Sequence, residues 1–107
     1  MATYLMLSHS TAEGTKTVKE TWQPDRLKEL NREVETLGAK VLLQYALLGP
    51  YDFVTILEAP NPETMARVSV ELGRRGMAHY ETFPAIPVET FIASLQSPRP
   101  AQVAAPR

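Results

Sequence analysis

The stretch LLGPYDFVTILEAP, Leu47–Pro60, reads as a chain reversal followed by a strand and a stop. Gly49 and Pro50 form a two-residue turn, because glycine accepts backbone angles closed to other residues and proline presets a turn value of φ. Tyr51–Ala59 is the outgoing strand, rich in β-branched and aromatic residues, and Pro60 ends it. Lys40–Leu48, KVLLQYALL, is the incoming strand. Asp52 stands at the mouth of this apolar hairpin, where a carboxylate needs a partner.

On the C-terminal side, Asn61 between Pro60 and Pro62 is an N-cap, and a helix runs from Pro62 to Arg75. Met65, Val68 and Leu72 form its apolar stripe, with Arg74 and Arg75 in the last turn where cations are favoured. Ala78–Phe83 reads as a fourth strand, and Pro84 and Pro87 break regular pairing. PVETFIASL reads as a short helix starting at Pro87. On the N-terminal side, Pro24 opens a helix whose stripe is Leu27, Leu30, Val34 and Leu37 and whose end is Gly38. Thr3–Ser8 is the first strand; Gly14 marks a turn and Thr15–Thr21 a short helical piece.

The order is β-α-β-β-α-β, the ferredoxin-like α+β arrangement: a four-stranded antiparallel sheet with both helices on one face. Residues 1–96 make one domain. From Ser97 onward SPRPAQVAAPR lacks periodicity, so 97–107 is expected to be a disordered tail. The helix-free face ought to be polar if it meets water, yet both parities of the strands are apolar. Val41, Leu43, Tyr45 and Leu47 alternate with Leu42, Gln44, Ala46 and Leu48, so one of Leu42 and Leu43 belongs to the core and the other to the second face. A second copy of the chain is the simplest cover, a dimer ahead of a trimer or larger ring.

The chain has 107 residues, a formal net charge of −1 and no cysteine. Near-neutral charge argues against nucleic-acid and membrane-surface partners, and the lack of cysteine excludes disulfides and thiol chemistry. With no signal-peptide pattern or membrane-spanning run, the expected location is the cytoplasm.

Gly49, Pro50, Tyr51 and Asp52, followed by FVTILEAPNPE from Phe53 to Glu63, resemble the signature of the GYD-domain family of the dimeric α/β-barrel superfamily. Thr11 with Gly14, and Gly76 followed by ETFPAI over Glu81–Ile86, are similar as well, so the likeness runs from Tyr4 to Phe91. The chain departs from the family pattern at His79 and Tyr80, where Arg-Thr is common, and at Pro84, where a basic residue is common. The resemblance implies the fold and sheet-to-sheet pairing of subunits. Superfamily members range from cofactor-independent monooxygenases and isomerases to plain ligand binders.

Six residues are candidates for contacting a ligand: Tyr4, His9, Tyr51, Asp52, His79 and Glu81. Asp52 either satisfies local backbone or acts as a general base beside a pocket, and the structural reading outweighs the functional one. His9 and His79 lie on strands that are neighbours in this fold, with Glu81 on the side of His79; two independent edge histidines outweigh a proton-transfer or metal cluster. No ligand spacing for a metal and no phosphate or dinucleotide loop is present, so neither metal nor cofactor is expected. The resulting expectation is a small-molecule-binding protein or an accessory, regulatory subunit of a larger protein. The alternatives are a cofactor-independent isomerase or monooxygenase using Asp52 or a histidine for proton transfer, and a scaffold recruiting a larger protein.

Overall fold

The computed structural model of the chain describes residues 1–11, 24–76 and 78–96. The element order is β1 (Ala2–Ser10), α1 (Pro24–Thr36), β2 (Lys40–Ala46), β3 (Phe53–Ala59), α2 (Pro62–Gly73), β4 (Ala78–Ala85) and α3 (Val88–Gln96). The four strands form one antiparallel sheet in the order β2-β3-β1-β4. This is the ferredoxin-like α+β architecture. The short helical piece at Thr15–Thr21 and the tail from Ser97 lie outside the described residues.

Alternation along the strands decides which side chains enter the core. Tyr4, Met6, Leu57 and Ala59 share one face of the sheet and pack in one cluster with Val34 of α1 and Met65, Val68 and Leu72 of α2. The α2 stripe read from the sequence is thus the buried face, and Leu57, Met65 and Val68 are the largest fully buried side chains. Asn61 caps α2 as expected, its Oδ1 accepting the Thr64 N–H at 2.8 Å. The helix is shorter than expected: it ends at Gly73, leaving both arginines beyond it. Arg74 pairs with Glu71, and Arg75 reaches across to Glu33 of α1.

Three further expectations are corrected. First, the hairpin turn is longer than Gly49–Pro50. β2 ends at Ala46 and β3 begins at Phe53, so 47–52 form the connection, closed by Leu47 N–H donating to Asp52 O at 2.7 Å. Leu48 is fully solvent-exposed there, and Gly49 takes a φ of 124° that other residues rarely adopt. Second, Pro84 does not break β4: it sits in register opposite Tyr4. β4 is an edge strand, so a missing N–H leaves no ladder bond unmade on the open side. Third, the strict parity of β2 fails at a register shift between Val41 and Leu43. Val41 pairs with Leu57 on the core side, whereas Leu43 pairs with Ile56 on the other. Neither Leu42 nor Leu43 is in the core; they are 40% and 50% exposed.

The helix-free face carries Leu5, Leu7, Leu43, Tyr45, Val54, Ile56 and Phe83, paired side by side in the register. α3 buries none of its residues, and Val88, Phe91, Ile92 and Leu95 form an exposed apolar stripe at helical spacing.

Candidate functional site

Asp52 has a local explanation. Its N–H donates to Ser8 O at 2.8 Å, and its Oδ2 accepts the Ser10 N–H at 2.6 Å. The last β1–β3 pair in the register is Ser8 with Phe53. Asp52 therefore continues the ladder past that pair with a side chain, where the outgoing strand has already curved into the connection. A charged acceptor makes the stronger kind of hydrogen bond.

The other five sequence candidates divide between the two faces. Tyr4 is buried on the helix side. His9 and His79 are register partners on the helix-free side, and their rings stack with centroids 5.5 Å apart. Glu81, two residues along β4 on the same face, accepts a hydrogen bond from the Tyr51 hydroxyl at 2.9 Å. That bond crosses β1, linking the 47–52 connection to the edge strand β4. It also raises the Tyr51 pKa above its ordinary value, first through the hydrogen bond itself and then through the carboxylate's charge. Four of the six candidates thus gather near one end of the free face, with Asp52 in the adjoining connection and Tyr4 on the opposite side. Among the described residues no group of three or more His, Cys, Asp or Glu is arranged to hold a metal ion.

A separate cavity of about 210 Å³ opens on the helix side, between α1 and the strands. Leu27, Leu30 and Val34 form its helical wall, and Met6, Val41 and Leu57 line its floor. Among the described residues its polar groups are uncharged: the buried hydroxyls of Ser8 and Thr55, the phenols of Tyr45 and Tyr80, and the amides of Asn31 and Gln44. Asn31 Nδ2 donates to Gln44 Oε1 at 3.1 Å. Burial pushes the Tyr80 pKa up, and the positive charge of Arg75 partly opposes it, so the phenol stays protonated.

None of the six sequence candidates lines this cavity, although Phe53 and Tyr80, neighbours of Asp52 and His79, do. Sequence reasoning missed its polar groups. The available signal was a set of uncharged polar residues on core-facing positions: Asn31 four residues after Leu27 in the apolar stripe of α1, and Thr55 within β3. Gln44 could not be assigned, because the register shift in β2 decides its face.

Comparisons with known proteins extend this picture. A family model described as GYD domain matches residues 4–95. A Thermus thermophilus protein named glutamine synthetase and cystathionine beta-lyase binding protein is 43% identical over 97 residues, covering 90% of this chain and 100% of that relative. Among solved structures, TTHA0845, also from Thermus thermophilus, superposes with a TM-score of 0.50 at 22% identity, over 81% of this chain and 95% of that one. FFRP-DM1 does so with a TM-score of 0.52 at 19% identity, over 80% and 100%. These two likenesses concern the fold.

Proposed function

The chain belongs to the GYD domain family, and from that membership we propose that it is an accessory protein that docks on a larger enzyme of amino-acid metabolism. The observation that carries the reading is the relative named for binding glutamine synthetase and cystathionine beta-lyase, which this chain matches along that protein's whole length. The unpartnered apolar surfaces support it, since contiguous apolar patches on small proteins mark interaction sites. We place the protein with such enzymes in the cytoplasm. We also assign the helix-free sheet face to pairing with a second copy, which leaves the helical side open to a partner. The alternative, a cofactor-independent enzyme, needs a proton-transfer group at the ligand. Asp52, His9 and His79 do not line the cavity, and the Asp52 carboxylate is engaged by Ser10.

The test mixes the purified chain with purified glutamine synthetase and cystathionine beta-lyase from its source organism and follows co-elution by size-exclusion chromatography. Co-elution with at least one of the two is expected. Separate elution of all three components at micromolar concentration would sink the proposal.

A further inference from the structure

The helix-side cavity combines three properties that together select a ligand. Its size comes first. An engineered apolar cavity of about 150 Å³ takes up benzene, so about 210 Å³ admits a single ring with a small substituent. Its charge comes second. Among the described residues that line it there is no Asp, Glu, Lys, Arg or His, and Arg75, the cation felt by Tyr80, is itself paired with Glu33. An ion entering would lose its hydration without a counter-charge, which is costly. Its hydrogen-bonding pattern comes third. Asn31 Nδ2 donates one of its two N–H groups to Gln44 Oε1, which leaves the Asn31 carbonyl as an acceptor beside the Gln44 NH₂ as a donor. That donor–acceptor pair is the complement of a carboxamide edge. The hydroxyls of Ser8 and Thr55, on neighbouring strands, and of Tyr80 add partners that donate or accept as the ligand requires.

We infer that the cavity between α1 and the sheet is a binding site for an uncharged, ring-sized carboxamide, held by Asn31 and Gln44 at its polar end and by Leu27, Leu30 and Val34 along its apolar body. The site lies on the face opposite the sheet surface assigned to self-association. One lining residue, Tyr45, belongs to that surface as well, so binding and dimerisation meet at this side chain, and the proposal does not depend on which enzyme the chain docks on.

Benzamide and benzoate make the test, because they share shape and differ in charge. Titration of the full chain is followed by calorimetry and by amide chemical shifts. Benzamide is expected to bind with shifts at Ser8, Leu30 and Thr55, and benzoate at least about tenfold more weakly, given the cost of an unpaired charge. Gln44→Leu, on an exposed position of an edge strand, should weaken benzamide about threefold to tenfold, as expected for one hydrogen bond. Ala46→Trp, which places bulk on an exposed lining position, should abolish binding while leaving the melting temperature near that of the parent. Equal affinity for benzoate, indifference to Ala46→Trp, or no benzamide binding at millimolar concentration would each overturn the assignment. A failure here with retained co-elution of the enzyme partner would remove the ligand and leave the accessory function standing.

Discussion

Asp52 shows how much can depend on one carboxylate oxygen. It holds the Ser10 N–H, a part-buried donor that would otherwise face the end of the sheet without its ladder partner. Asp52→Ala should therefore destabilise the fold by about 1–3 kcal/mol, the cost of a buried group left unpaired. Asp52→Asn keeps an oxygen acceptor and should cost less. Urea denaturation of both variants checks the order, and an equal loss would show that charge rather than acceptor geometry matters. The tyrosines set a second expectation. Tyr51 and Tyr80 both have pKa values raised above 10.0 in the fold, the first by its bond to Glu81 and the second by burial. Between the unfolded and the raised values the folded chain binds more protons, so this contribution is present below about pH 10 and is lost as pH rises through the folded values. Stability measured by denaturant should fall as pH rises past about 10, less steeply in Tyr80→Phe; a parallel slope in that variant would refute the assignment. At this scale the sequence was readable in kind but not in place. Asp52 beside a turn announced a backbone partner, whereas the proximity of Tyr51 to Glu81 depends on a bond that passes over β1, and no local pattern encodes that.

At the scale of elements, the strands and helices were legible because each carries its own periodicity and punctuation: Asn61 before α2, Gly38 after α1, and the stripe Met65, Val68, Leu72. What escaped was whatever the partner strand decides. The β2 register shift is invisible in KVLLQYA, since apolar residues sit on both parities, and it turns Gln44 toward the helices. Pro84 looked like a breaker because its tolerance depends on β4 lying at the edge, a property of the sheet order. Gly38 offers a direct test of the α1–β2 joint. Its φ is 108°, and a Cβ there would lie 3.4 Å from the Thr64 methyl. Gly38→Ala should cost about 1–3 kcal/mol for the backbone conformation alone, seen as a lower urea midpoint with an unchanged slope. An unaltered midpoint would mean that the joint relaxes freely.

At the scale of the whole molecule, the decisive feature is a sheet that, among the described residues, is covered by helices on one side only. Leu43, Tyr45 and Phe83 are about half exposed, at 50%, 57% and 45%. Sedimentation at micromolar concentration should give a stable oligomer, with the dimer as the expected species. Leu43→Lys should convert it to monomer or weaken it by at least about tenfold, because a charge would be buried without a partner. A monomeric parent chain would leave the exposed face to the enzyme partner instead.

The strand order also governs how the chain can be made. β1, made before both strands it pairs with, lies inside the sheet and pairs only with β3 and β4. Its first contacts require Phe53 to Ala59, and its second edge waits for Ala78 to Ala85. At about 5–20 residues per second on a ribosome, the wait from Ser8 to Phe53 lasts roughly 2–9 s. During that time TYLMLS has no native partner on either edge. Such non-local pairing slows folding compared with a helical bundle of the same length, and it leaves a short apolar strand of the nascent chain as a natural target for chaperones that bind extended hydrophobic segments.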